Sequence, residues 1–304
     1  MKYNKPPLTI EQQVDRLAAR GLAIPDKARA AHYLAHLNYY RLRAYWLPLE
    51  RDPKQHIFKV GTSFEHVLDL YVFDRKLRLL LLDAIERIEV SLRTQWAYHL
   101  AHQYGPHAYL DARHFKDPTK HARSLAALSD EVERSDETFI RHYRETYSDP
   151  ALPPIWAVCE ILTLGQLSRW YENLAKPTDR QAIARTYRLD EKVLTSFFHH
   201  LSIVRNLCAH HSRLWNRRFV FTSIIPKRPA NLSVYFNPLV PRNLYNTLVL
   251  ARYVLAIISP GSLWEDRLVT LFREHTAVEP AAIGFPDNWQ ELDIWHDSNW
   301  KLPD

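Results

Sequence analysis

The chain has 304 residues, with 40 Lys plus Arg against 34 Asp plus Glu and a formal net charge of +6. Because 46% of its residues are hydrophobic and only 6 are glycine, it can bury a substantial core, and a sandwich built from many tight turns is disfavoured. The slight basic excess fits an ordinary surface of mixed charge and also fits a preference for a polyanion such as RNA.

Cysteine usage and the length of the apolar runs indicate in which cellular compartment the protein is located. Cys159 and Cys208 both lie in apolar helical contexts, without the spacing of a zinc site, and no glycine-rich phosphate loop is present. The N-terminal residues lack a signal-peptide core, and the apolar runs are too short or too charged to span a bilayer. We therefore expect a soluble cytoplasmic protein with no cofactor, no metal and no membrane contact.

Helical patterns begin near the N-terminus. Thr9 is placed to cap a helix that ends at Gly21, and Asp26 helps to open a second helix. The aromatic residues in 39–46 either fill the core between these helices or stack on unpaired bases. Residues 56–60 predict a short extended piece, such as one strand of a minor hairpin.

The longest apolar periodicity starts after Ser63 and ends near Gly105, which predicts one long helix. Further helices are predicted at residues 119–147, 155–174, 178–187, 190–217, 242–258 and 262–275. The protein is thus expected to be all-α. It would have an N-terminal helical lead (1–60), a helical core (61–220) and a C-terminal extension (221–304), together forming one compact unit.

The most informative pattern lies on the helix predicted at 190–217. Its polar residues recur at offsets of three and four and so form one stripe, made of His199, Ser202, Asn206, His210, Arg213 and Arg217. An apolar row that includes Phe197 and Cys208 lies beside the stripe. Residues 205–228 contain six Lys or Arg and no Asp or Glu. Such a surface is suited to gripping a phosphodiester.

Within this stretch, RNLCAHHSRLWNR resembles the Abi-like abortive-infection family (AbiD/AbiF type). Its Arg-Asn-x-x-x-His part resembles the Arg-x4–6-His signature of the HEPN superfamily, whose members are often metal-independent ribonucleases. Blocks at residues 17–49, 61–100 and 153–174 resemble the same family in the same order, while the last residues resemble it less distinctly. The resemblance implies a HEPN-like helical bundle, an endoribonuclease that acts as paired domains, and a role in abortive infection or as a toxin.

The residue types fit that chemistry. RNA supplies a nucleophile in its 2′-hydroxyl, histidine transfers protons near neutral pH, and arginine presents a planar fork to phosphate oxygens. We expect Arg205 to bind the scissile phosphate, His210 to transfer the proton and Asn206 to orient either group. His211 has a supporting role, or is itself the proton-transfer group. The flanking RNA backbone is assigned to Arg213, Arg217 and Arg218.

Helical geometry places the guanidinium of Arg205 and the imidazole of His210 on different sides of the predicted helix. Arg205 and His210 are five residues apart and point about 140° apart on a regular helix. A composite site formed by two copies of the helix resolves this difficulty and predicts a homodimer. The alternatives are a non-catalytic protein that holds a noncoding RNA, and a helical interaction protein whose polar stripe is only a dimer seam. Glu89 and Arg93 are spaced for an ion pair, and whether they face the signature helix is left open.

Overall fold

The structure is a computed structural model that describes residues 2, 4, 6–296 and 300. The described residues form twelve α-helices and one two-stranded sheet, so the protein is essentially all-α, as predicted. None of the helices in these ranges combines the length and the apolar character needed to cross a membrane.

The first of two compact units comprises Met1–Arg78 and Thr270–Glu279. Its elements are α1 (Ile10–Ala19), α2 (Lys27–His36), α3 (Tyr39–Trp46), β1 (Glu50–Asp52), β2 (Ile57–Phe58) and the first part of α4 (Phe64–Tyr104). Thr9 caps α1 through a capping box, and Gly21, with φ +90°, follows its end. Asp26 caps α2. The predicted N-terminal helices and the minor hairpin are therefore confirmed.

The aromatic cluster of α3 divides between core and surface. Tyr45 and Trp46 are fully buried, whereas Tyr40 is 69% exposed. The Tyr45 hydroxyl donates to the buried carboxylate of Asp74 on α4, which also pairs with Arg78. The core interpretation is therefore right for Tyr45 and Trp46, and Tyr40 stays open to solvent.

The second compact unit comprises Leu79–Val269 and Pro280–Asp304. It contains the rest of α4, then α5 (Pro118–Arg134), α6 (Thr138–Thr146), α7 (Ile155–Ile161), α8 (Leu164–Glu172), α9 (Pro177–Arg185), α10 (Glu191–Ala209), α11 (Tyr245–Ile258) and the beginning of α12 (Trp264–Glu274). Residues 219–241 are rich in proline and β-branched residues, which predicts an irregular segment, and they form only one short 3-10 helix, Ala230–Tyr235.

Two of the predicted helices are each split in two. The helix predicted at 119–147 breaks after α5, where the Ser135 hydroxyl accepts the backbone N–H of Glu137. The helix predicted at 155–174 breaks before α8, where the Thr163 hydroxyl accepts the N–H of Gln166 in a capping box. Hydroxyl side chains that bond to nearby backbone groups favour helix starts over helix interiors, which explains both breaks.

The largest departure from prediction is the end of α10, which stops at Ala209, about two turns early. His211 has a left-handed backbone, with φ +56°. The backbone N–H groups of His211 and Ser212 donate to the carbonyls of Cys208 and Leu207 at 3.0 and 2.8 Å. This pair of bonds is a Schellman motif, which usually has glycine where His211 stands. Without a glycine, the sequence gives no stop signal here.

The apolar row of α10 packs against α8. Phe197, Leu201 and Val204 are buried, and so are Trp170 and Tyr171 of α8. Because the row is continuous up to the C-terminal turn, the core fixes the direction in which the polar residues of α10 face.

From their places in the apolar pattern of residues 153–174, Trp156, Trp170 and Tyr171 are expected to pack beneath α10, and Trp156 is the exception. The break before α8 leaves α7 with a buried face made of Ile155, Val158 and Cys159, and Trp156 lies on the other side, 55% exposed. Cys159 and Cys208 are both free and buried, as expected. Burial raises the pKa of the Cys159 thiol to about 12.

His200 ties the segment that follows α10 to the core. Its Nδ1 lies 2.9 Å from the Phe221 carbonyl oxygen, and its Nε2 lies 2.7 Å from the Thr247 hydroxyl on α11. A neutral imidazole satisfies both contacts, because Nδ1–H donates to the carbonyl and Nε2 accepts from the hydroxyl. Burial lowers the pKa of His200 to about 4.

Candidate active site

The Arg-Asn-x-x-x-His residues lie at the C-terminal end of α10. Asn206 and His210 are exposed, and Arg205 is half-buried. The backbone N–H of His210 still donates to the Asn206 carbonyl at 2.9 Å, so these two residues share one side of the helix. Arg205 Nη1 lies 3.4 Å from Asn206 Oδ1. The amide therefore contacts the guanidinium and lies one turn from the imidazole.

His211 has a backbone conformation that glycine adopts far more readily. A left-handed conformation costs an ordinary L-residue about 1–2 kcal/mol, and this position of the helix end usually carries glycine. The chain nevertheless has an exposed imidazole here, directly after His210. Strained backbone of this kind is concentrated at functional sites. Arg188 has the same conformation after α9, so what distinguishes His211 as a functional candidate is the exposed imidazole directly after His210.

We expect His211→Gly to raise the free energy of unfolding by roughly 1 kcal/mol, because glycine adopts the left-handed conformation without strain. The same variant is expected to cleave RNA more slowly than the wild type. Urea unfolding and a cleavage assay on one preparation measure the two effects.

Arg188→Gly is the matched control. Arg188 has φ +51° and follows α9 with the same pair of backbone bonds. It lies before the start of α10, whereas His211 lies after the end of that helix. It should gain similar stability and keep full activity. If His211→Gly also kept full activity, His211 would have no part in the reaction.

Arg205 faces α4 and lines a cavity of about 440 Å³ whose carboxylates are Asp83, Glu86 and Glu89. Asp83 pairs with Arg87 at 3.0 Å, and Glu89 pairs within α4 as well. The exposed Glu86 has no ion-pair partner among the residues that the structure describes, and neither has Arg205. The lining has three carboxylates and two guanidiniums, so a phosphate that binds Arg205 has to compete with Glu86 for it.

The Glu89–Arg93 pair joins α4 to the segment between α7 and α8, and it also lines the Arg205 cavity. The Arg93 guanidinium lies 2.6 Å from the Glu89 carboxylate, and both side chains are largely buried. Arg93 also donates to the Leu162 carbonyl, between α7 and α8, at 2.8 Å. The predicted ion pair is confirmed, and Glu89 and Arg93 line the same cavity as Arg205.

The arginines assigned to the RNA backbone lie beyond the end of α10. The Arg213 guanidinium lies 6.0 Å from the Trp215 ring, and Arg217 Nε donates to the Arg213 carbonyl at 2.7 Å. Arg218 is exposed. The predicted helical stripe is therefore wrong after His210, because helical spacing has no meaning where the helix has ended. The role of these three arginines in binding RNA stays a prediction.

The basic character of this region is more extensive than the window 205–228 suggests. Between Glu191 and Glu265 the sequence has no Asp or Glu, and it has nine Lys or Arg. A count over a wider window would have found this run. His199 and Ser202, at the start of the predicted stripe, line a different cavity, between α5, α8 and α10.

Neither a metal ligand set nor a reactive thiol is evident at the site. In the described ranges, no three His, Cys, Asp or Glu side chains are grouped as ligands of one metal ion. Cys208, the thiol nearest to His211 in the sequence, is buried in the apolar row, where a thiolate is disfavoured.

Comparison with known protein families identifies the family of this chain. The sequence model of the family described as Abi-like protein matches residues 32–216, more than half of the chain. The chain belongs to the Abi-like protein family. The matched range contains Arg205, His210 and His211 and ends before Arg217. No curated protein and no solved structure matches this Abi-like chain.

Proposed function

We propose that this Abi-like protein is a metal-independent RNA endonuclease of the HEPN type that acts in abortive infection or as a toxin. The grouping at the C-terminal end of α10 carries the proposal. There an exposed imidazole, His210, lies one turn from Asn206, and Arg205 has no ion-pair partner among the described residues. His211 adds a second exposed imidazole on a strained backbone.

The proposed reaction uses the 2′-hydroxyl of the RNA as nucleophile. His210 removes the hydroxyl proton, the 2′-oxygen attacks the phosphorus, and the bond from phosphorus to the 5′-oxygen breaks. Arg205 stabilises the charge that builds up on the phosphate oxygens, which is worth several kcal/mol for a well-placed cation. The leaving oxygen takes a proton from a second imidazole, either His211 or the His210 of a second copy. The product carries a 2′,3′-cyclic phosphate.

A homodimer fits the directions of these side chains. Arg205 faces α4, whereas His210 lies at the exposed end of α10, so one copy of the chain does not bring the two groups face to face. The helix that Arg205 faces, α4, exposes Leu79, Val90 and Tyr98, and of these Val90 lines the Arg205 cavity. Their spacings of 11 and 8 residues place them on one side of α4, and we take this side as the dimer surface of the proposal. We expect two copies that pack through this face, related by a two-fold axis, to share one site made of guanidinium and imidazole groups from both.

Two other functions would use the same surface. One is an RNA-binding protein that holds a noncoding RNA without cleaving it, and the other is a helical interaction protein. Neither needs an imidazole on a strained backbone next to an exposed His210, whereas proton transfer does need a positioned imidazole.

Incubating the purified protein with total cellular RNA, with and without EDTA, separates these functions. We expect cleavage to persist in EDTA and to yield 2′,3′-cyclic phosphate ends. Salt-sensitive binding without cleavage products would identify the non-catalytic RNA-binding protein, and no binding at physiological salt would identify the interaction protein. Cleavage that EDTA abolishes would contradict the metal-independent mechanism.

A further inference from the structure

A second cavity, here called the basic cavity, lies between α5, α8 and α10 and has a volume of about 490 Å³. The side chains that give it its chemistry are Lys116, Lys120, Arg123, Arg169, His199 and Ser202. It shares no lining residue with the Arg205 cavity. Its cations come from α5, α8 and the segment before α5, none of which the sequence pattern assigned to RNA binding.

The charge of the basic cavity is strongly unbalanced. Its four Lys and Arg residues face one carboxylate, Glu172, so the formal net charge of the lining is +3. All four cations are exposed, and none has an ion-pair partner among the described residues. Lys120 and Arg123 lie three residues apart on α5, a spacing at which like charges repel each other. A polyanion would relieve that repulsion.

The walls of the cavity are fixed by bonds that do not involve its cations. The Asn173 side chain, at the end of α8, donates to the Asp117 carbonyl at 3.0 Å and accepts the Asp117 N–H at 3.1 Å. Asp117 in turn caps α5. The ring of Trp170 is buried and lines the cavity. These bonds hold α5 and α8 in place without a ligand. Binding therefore requires little reorganisation of the cavity.

A row of polar residues on α10 leads from the basic cavity to the candidate active site. His199, Ser202, Asn206 and His210 follow one another at offsets of three and four on one side of the helix. At a rise of 1.5 Å per residue, Ser202 lies about 12 Å from His210 along the axis. A phosphate backbone that follows this row would contact the cations of the cavity and reach the imidazole. An acidic peptide has no phosphodiester bond for His210 to act on, so the row that leads to this imidazole does not favour a peptide as the ligand.

We propose that the basic cavity binds the phosphodiester backbone of single-stranded RNA next to the bond cleaved at His210. Its volume of about 490 Å³ is that of a site for a small ligand, which suits a short piece of one strand better than the broad face of a duplex. The inference rests on the proposed function in taking RNA as the ligand. It concerns binding alone, so it can be tested separately from cleavage.

The test is the binding of a fluorescein-labelled 2′-O-methyl oligouridylate, which has the phosphate backbone but no nucleophilic hydroxyl. We expect Lys120→Gln combined with Arg123→Gln to weaken the salt dependence of binding. A plot of the logarithm of the association constant against the logarithm of the salt concentration should become less steep by about 1.4, because each phosphate contact to a single strand contributes about 0.7. The control pair is Lys54→Gln with Arg141→Gln. Both of these residues are exposed and without ion-pair partners among the described residues, and they should leave the slope unchanged.

Gly165→Leu tests the cavity without a change of charge. A Cβ at Gly165 would lie 3.8 Å from Arg169 Nη1 and 3.9 Å from Ser202 Cβ, which is ordinary contact, so the longer side chain extends into the cavity. We expect weaker binding of the same oligonucleotide, with the melting temperature checked alongside. An unchanged slope in the charge variant together with full affinity in Gly165→Leu would overturn the proposal. Equal binding of polyglutamate would overturn the assignment to RNA. Loss of cleavage in His210→Ala with normal binding of the oligonucleotide would leave it standing.

Discussion

His210→Ala should lower the rate of RNA cleavage by roughly 10²–10⁴-fold, the usual contribution of a positioned general acid or base. Arg205→Ala should lower it by roughly 10²–10³-fold, as the loss of one group that stabilises transition-state charge does. His210 is exposed and Arg205 half-buried at a helix end, so both variants should fold as the wild type does. Single-turnover cleavage of a 5′-labelled RNA in EDTA measures the rates.

The controls for these variants are His142→Ala and Arg141→Ala on α6. Both side chains are exposed and neither belongs to the site, so cleavage should be unchanged. Light scattering should show the proposed dimer for the wild type and for all four variants. Full activity in both site variants would rule out this site. Full activity in His210→Ala, together with its loss in His211→Ala, would move the proton transfer to His211.

Lowering the pH from 6.5 to 4 should remove about 3 kcal/mol of stability through His200 alone, since one pKa unit corresponds to 1.36 kcal/mol. The pKa of His200 is about 4 in the folded protein and about 6.5 when unfolded. Between these values the unfolded chain binds a proton that the folded chain excludes. The contribution is therefore fully present above pH 6.5 and is lost as the pH falls towards 4.

Comparison with His200→Leu isolates this contribution from that of the carboxylates, which titrate in the same range. The variant should start less stable at pH 7.5, because the Phe221 carbonyl and the Thr247 hydroxyl lose their partner. Its stability should then fall by about 3 kcal/mol less than that of the wild type. His142→Leu, at an exposed position, should follow the wild type. Parallel pH profiles for wild type and His200→Leu would show that His200 is not held neutral in the fold.

The helical fold was predictable because its signals are local. Thr9, Gly21 and Asp26 mark helix ends through capping chemistry that acts over three or four residues. The apolar period of α4 predicted a helix of 41 residues nearly to its ends. The Arg-Asn-x-x-x-His residues were placed correctly on α10 for the same reason, since the helix is regular up to Ala209.

The features that the sequence did not predict depend on strain or on distant segments. The helix after Ala209 was expected to continue because His211 gives no sign of a left-handed backbone. The basic cavity joins cations from residues 116–123 with Arg169 and His199, whose proximity follows from the packing of α5, α8 and α10. The carboxylates beside Arg205 come from α4, more than a hundred residues earlier, and only tertiary structure places them there.

The proposed nuclease uses the side chains at the end of α10 to cleave RNA through the RNA's own 2′-hydroxyl. Its most direct test uses two oligonucleotides that share one mapped cleavage site, one all-ribose and one with a single 2′-deoxyribose 5′ to the scissile phosphate. The wild-type protein should cleave the first in EDTA, leave a 2′,3′-cyclic phosphate and spare the second, whereas His210→Ala should spare both. Cleavage of the deoxy-substituted strand at the same bond, or a 3′-hydroxyl product, would contradict this account.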